Sequence, residues 1–124
     1  MEHEKLTEQI IGCAYRVYNK LGFGFLESVY EKCLMIETSR KKGIAAASQA
    51  AIVVRYDDEV VGEFVADIVV EGTIIVELKS VRRMALSHEI QLVNYLAATR
   101  KDVGLLLNFG QRRVDVKRKV RELR

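Results

Sequence analysis

The stretch from Phe64 to Lys79 leaves this chain few folds to choose from. It reads Phe64-Val65-Ala66-Asp67-Ile68-Val69-Val70, then Glu71-Gly72, then Thr73-Ile74-Ile75-Val76-Glu77-Leu78-Lys79. Two runs rich in β-branched residues flank an acidic-glycine break, which is the pattern of a β-hairpin. A charge inside such a strand has to be paired or hold a metal, because removing it from water is costly. If Asp67 faces Glu77, Val70 pairs with Ile74 around a loop of three residues. Side chains alternate along a strand, so this register puts Phe64, Ala66, Ile68, Val70, Ile74, Val76 and Leu78 on one face. Glu63, Asp67, Glu77 and Lys79 fall on the other. A slip of one residue would bury the charges and expose half the core.

Two carboxylates with little nitrogen or sulfur suit a hard cation such as Mg²⁺ or Mn²⁺, which takes oxygen ligands and keeps several waters. Lys79, two residues after Glu77, stays on the same face. From there it can orient a metal-bound water or hold a phosphate as a point charge. An exposed sheet face with ordinary ion pairs would carry the same short string.

Two helices bear on the choice. Leu86 to Leu96 has helical period, with Leu86, Ile90, Val93 and Ala97 as an expected apolar stripe and His88, Gln91 and Tyr95 on a separate face. Gly24-Phe25-Leu26-Glu27-Ser28-Val29-Tyr30 opens an earlier helix with Glu27 in its first turn, where a carboxylate suits the helix dipole. Gly24-x-x-Glu27-x-x-Tyr30, Ala66-Asp67, Glu77-Leu78-Lys79 and His88-Glu89-x-Gln91-x-x-x-Tyr95, in this order and over nearly the whole chain, resemble the GxxExxY family of the PD-(D/E)xK nuclease superfamily. The resemblance implies a restriction-endonuclease-like core, a central mixed β-sheet flanked by helices with the metal site where the hairpin splays. It implies Asp67 and Glu77 as metal ligands, Glu27 as the helical acid near the metal, and Lys79 as the catalytic lysine. Gln91 and Tyr95 match a Gln-x-x-x-Tyr helix motif that lines the site. The family's proline is Ala66 here, at a position that carries no chemistry.

The coarse order is ααβββαββ, an α/β (α+β) architecture: helices over Leu6 to Leu21 and from about Phe25 to Lys41, a strand over Ala50 to Tyr56, the hairpin, a third helix, and strands at Val103 to Phe109 and around Val114 and Val116. At 124 residues, 49% hydrophobic and 30% charged, residues 1–124 fit one domain that buries roughly two-thirds of its unfolded surface. With no proline, turns fall to glycine. No apolar run approaches the roughly 18 residues a membrane span needs, and the N-terminus lacks the basic and apolar regions of a signal peptide. A cytoplasmic protein with no membrane partner is expected. Cys13 and Cys33 lack metal or redox spacing and read as buried structural thiols.

From Gln111 to Arg124, seven basic residues against Asp115 and Glu122 leave +5, and the rest of a chain of net +3 is −2. Such a tail suits a polyanionic phosphodiester, with Arg118, Lys119 and Arg121 as expected phosphate contacts; a solvated terminal segment would look the same. His88 could donate to a phosphate or simply pack. Tyr30 and Tyr95 read as wall residues near Glu27 or Lys79, since an ordinary phenol with a pKa near ~10 is a poor acid or base at neutral pH. The reading is a Mg²⁺- or Mn²⁺-dependent nuclease acting on nucleic acid, with DNA the expected polymer and a homodimer the expected assembly. A nuclease-fold binding or assembly module that cleaves nothing is the alternative.

Overall fold

The computed structural model describes residues 3–121. Glu122 and Arg124 of the basic tail lie outside the described residues. Helix α1 spans Glu4–Leu21 and α2 spans Glu27–Met35, continuing as a π-helical turn over Ile36–Lys41. The segment ends at Gly43, whose φ of 67° is open to glycine without strain and whose N–H returns to the Ser39 carbonyl. Strands β1 (Ala46–Tyr56), β2 (Glu59–Val70) and β3 (Ile74–Lys79) follow, then α3 (Leu86–Thr99), β4 (Val103–Phe109) and β5 (Val114–Val120). The order is ααβββαββ, as the sequence implied.

The strands lie side by side in chain order, antiparallel except for the parallel pair β3–β4 that α3 connects. Val70 pairs with Ile74, Val69 with Ile75 and Ile68 with Val76, the register that faces Asp67 to Glu77. β1 and β2 are longer than the propensity runs suggest, and their turn has both Asp57 and Asp58 at positive φ (48° and 65°), a backbone twist that suits a tight hairpin.

Helices cover both faces. Ile10, Cys13, Ala14 and Val17 of α1 and Tyr30 and Leu34 of α2 pack on Ile68, Val70, Ile74, Val76, Leu78, Leu105, Leu107 and Phe109. Leu92, Tyr95 and Leu96 of α3 pack on Ile52, Ala66, Val69, Ile75 and Leu106 on the other side. Gly104 makes that second contact possible: a Cβ there would stand 2.7 Å from Leu92 Cδ1. Both cysteines are free thiols, Cys13 buried and Cys33 half-buried.

Two expectations are corrected. The α3 stripe of Leu86, Ile90, Val93 and Ala97 is not the buried face: Leu86 and Ile90 are exposed, and the buried residues are Leu92, Tyr95 and Leu96. Both stripes have helical spacing, and only the shape of the sheet selects between them. The single apolar face of β2 also breaks. Ile68 joins the α1/α2 core while Ala66 joins the α3 core, although two residues apart should share a face. The swivel lies at Asp67, opposite Gln49, whose φ is 53° and which the β1–β2 ladder skips along with Asp67. Phe64 therefore sits on the α3 side, 5.8 Å from the Tyr95 ring between centroids.

Candidate active site

Regular pairing of β2 with β3 ends at Ile68 and Val76. Beyond it each acidic side chain bridges the gap. The Asp67 N–H donates to Glu77 Oε2 at 3.1 Å, and the Leu78 N–H donates to Asp67 Oδ2 at 2.8 Å. Two carboxylates thus replace the lost ladder bonds and are held together. Glu77 is only 7% exposed, and burial pushes its carboxyl up to about 8, helped by the side chain and charge of Asp67 and opposed by the Asp67 N–H and by Lys79. A carboxylate pair with this much crowding wants a proton or a cation. Its donors are oxygen alone, which fits Mg²⁺ or Mn²⁺.

Helix α2 approaches from the other end of the splay. Glu27 is exposed in its first turn and shares a hollow with Phe23, Gly24, Phe25, Leu26 and Ser80. Ser80, the residue after Lys79, donates its hydroxyl to the Phe25 carbonyl at 2.9 Å. Glu31, one turn further on, is nearer the pair than sequence reasoning foresaw. Burial raises its pKa, the Asp67 charge adds to this, and its carboxylate accepts from Gln49 Nε2 at 2.8 Å. Its i, i+4 spacing from Glu27 was the available signal. Among the described residues, no three carboxylate, imidazole or thiolate groups converge into a metal cage.

Asn108 is the other residue the sequence reading missed. It pairs with Lys79 across β3–β4, is buried, and clamps Val81 through both its amide groups, accepting from the N–H at 3.0 Å and donating to the carbonyl at 2.8 Å. This fixes the path of the chain as it leaves Lys79. One polar residue in the otherwise apolar run Val103 to Phe109 was the clue.

On α3, Tyr95 is buried against Ala66, and its phenol pKa is raised by burial and then by the charges of Glu77 and Asp67. Gln91 is exposed one turn earlier. His88 Nδ1 accepts the Ala85 N–H at 3.2 Å, capping the helix.

A family model of the PD-(D/E)XK nuclease superfamily matches residues 4–120. The chain belongs to the PD-(D/E)XK nuclease superfamily. The crystal structure of SSO0001 matches 98% of this chain with a TM-score of 0.63 at 16% identity, a likeness of fold; the match spans 61% of that longer chain. A search of curated proteins finds no match. The mixed sheet flanked by helices is the restriction-endonuclease-like core of this superfamily, whose members are typically nucleases and usually use divalent metals such as Mg²⁺. No helix among the described residues is long and apolar enough to cross a membrane.

Within this PD-(D/E)XK chain, two groups of expected residues are placed elsewhere. Tyr30 is no wall of the site: it is fully buried, stacked on Phe109 at 4.3 Å, and its hydroxyl donates to the Gly22 carbonyl. The tyrosine of Gly24-x-x-Glu27-x-x-Tyr30 pins the loop that sets where Glu27 begins. The basic trio is divided by strand alternation. Arg118 pairs with Leu105, whose side chain is in the α1/α2 core, while Lys119 and Arg121 turn to the other face. Lys119 pairs with Glu89 at 2.6 Å and Arg121 with Asp102 at 3.0 Å. Strand alternation thus puts Arg118 and Lys119 on opposite faces, and acidic partners engage Lys119 and Arg121.

Proposed function

We propose that this chain is a metal-dependent nuclease of the GxxExxY branch that hydrolyses phosphodiester bonds of nucleic acid, with DNA as its polymer. The observation that carries this reading is the carboxylate pair across the splay, Asp67 against Glu77, with Lys79 two residues on. Asp67 and Glu77 would hold the Mg²⁺ or Mn²⁺, with Glu27 or Glu31 completing the set from α2. When bound, the cation supplies an acidified water and offsets the charge on the phosphate.

The protein's own groups do the rest. Lys79 orients the attacking water with its ammonium and stays put because the Asn108–Val81 clamp fixes the chain beyond it. Gln91 positions Lys79 or the backbone. Tyr95, with its raised pKa, keeps its proton at neutral pH and can donate to a phosphate oxygen. His88, with Nδ1 engaged by Ala85, carries its proton on Nε2 as a further donor. Arg82 and Arg83, exposed on the loop that leaves β3, suit phosphate contacts better than the paired Lys119 and Arg121. We place the protein in the cytoplasm, as a single-domain chain forming a homodimer.

The lack of three converging acids among the described residues favours the second reading, a nuclease-fold module that binds without cleaving. Cleavage of single-stranded, duplex and branched DNA with Mg²⁺, Mn²⁺ or EDTA decides between them. Lys79→Ala should abolish cleavage and leave metal affinity, measured by calorimetry, unchanged. Asp67→Asn should weaken both, since it removes a charged ligand. Binding without cleavage under either metal would establish the module, and a Lys79→Ala variant that cuts like wild type would refute the mechanism.

A further inference from the structure

A hollow on the surface adjoins the carboxylate pair but is not part of it. It is a groove of about 720 Å³ between α3 and the β1–β2 ribbon, lined by Val54, Phe64, Ile90, Ala97, Ala98 and Tyr95, with Ser87, Gln91 and Asn94 along the helix edge. Its size is ordinary for a ligand site. No charged side chain lines it. Tyr95 lines it, and the same ring packs in one cluster with Ala66, the residue before Asp67. A phosphate held at the carboxylates would therefore have a neighbouring nucleoside beside this groove.

We infer that the groove receives an unpaired nucleobase next to the scissile phosphate, so that the substrate is single-stranded or locally extruded nucleic acid. This rests on the nuclease reading for what lies beside it. Three features fit a base. Phe64 is 46% exposed and tilted 40° to Tyr95, so part of its face is open for stacking. The hydroxyl of Ser87 and the amides of Gln91 and Asn94 offer both donors and acceptors to a base edge, which a Watson–Crick partner would otherwise occupy. The absence of charge suits a neutral base and not a phosphate, which belongs at the cation-binding end. Ile90, 51% exposed, would be covered by the same ligand. A base inside an intact duplex could not reach between a helix and a ribbon without leaving its stack.

The test uses the whole chain in EDTA, which separates binding from cleavage, and oligodeoxythymidine carrying one 2-aminopurine, whose fluorescence falls on stacking. Single strands should bind more tightly than a blunt duplex of the same length, with quenching. Phe64→Leu keeps an apolar contact to Tyr95 but loses the ring; it should weaken single-strand affinity roughly tenfold and remove the quench, while Phe64→Trp keeps both. Asn94→Ala, an exposed change that spares the core, should weaken binding as well. Equal affinity for duplex and single strand, or Phe64→Leu and Asn94→Ala binding like wild type, overturns the inference. So does a dimer in sedimentation that Phe64→Leu dissociates without loss of oligonucleotide binding, since the groove would then be an interface between copies. Phe64-dependent quenching with no cleavage in Mg²⁺ or Mn²⁺ would uphold the groove and refute the nuclease; Lys79-dependent cleavage that ignores Phe64 would do the reverse.

Discussion

At the scale of single residues the Asp67–Glu77 pair has a consequence for stability. The native Glu77 carboxyl titrates at about 8, against an ordinary value of 4.5. Between those values the folded protein keeps a proton that the unfolded chain has released, so stability must fall as pH rises through that window. Thermal denaturation of the metal-free protein should therefore show Tm declining from about pH 5 to about pH 8. Mg²⁺ should raise Tm more at the alkaline end, where it does not compete with a proton. Asp67→Asn removes the neighbouring charge and leaves burial, the larger cause, in place. Its slope should be shallower but not flat, and its response to Mg²⁺ should shrink. A slope unchanged by the substitution would mean the two carboxylates do not interact.

At the scale of elements, the site depends on how closely α3 and α2 approach the sheet. Gly104 lies where β4 passes under Leu92, and both are fully within the packing of the helix on the strand. Gly104→Ala should cost about 1–3 kcal/mol in chemical denaturation, because the buried Leu92 side chain has no room to retreat from a contact of 2.7 Å. Leu92→Val in the same chain should recover part of that loss, an interaction that a double-mutant cycle would register. On the opposite face, Glu37 in the π-helical turn collects Arg16, Lys41 and Lys20, which hold its carboxyl below the usual range, with the Lys41 hydrogen bond foremost. That network fastens the end of the α2 segment to α1, while Tyr30 and the Gly22 loop fasten its start.

For the molecule as a whole, the position of positive charge matters more than its amount. The terminal segment is basic in sequence, yet Lys119 and Arg121 serve the sheet, bound to Glu89 of α3 and Asp102 of the loop before β4. Lys119→Ala should leave the salt dependence of nucleic-acid binding unchanged and cost less than about 1 kcal/mol of stability, as partly exposed ion pairs do. Arg82→Ala with Arg83→Ala should instead lower the slope of log affinity against log salt by up to about two phosphate contacts, with stability retained. A slope that responds to Lys119 and not to Arg82 and Arg83 would put the nucleic acid across β5.

Much of this was legible because local chemistry over-determines it. Alternation and the Glu71-Gly72 turn fix the β2–β3 register, and the register brings Asp67 to Glu77. Helical periods give α1, α2 and α3 and their order, with glycine stops after the first two, while α3 ends at Arg100 in a left-handed backbone. Period alone, however, does not say which stripe of α3 is buried, since Leu86-Ile90 and Leu92-Tyr95-Leu96 are both apolar and both helical in spacing. The swivel at Asp67 is equally hidden, because it follows from Gln49 on another strand adopting a left-handed backbone that its own sequence does not demand. The roles of Tyr30, Glu31, Asn108 and Lys119 are set by partners 8 to 30 residues away, as with Tyr30 and Gly22, Glu31 and Gln49, Asn108 and Val81, and Lys119 and Glu89. Sequence fixes what is carried by neighbours along the chain; which side chain meets which across the fold is decided only when the helices close over both faces of the sheet.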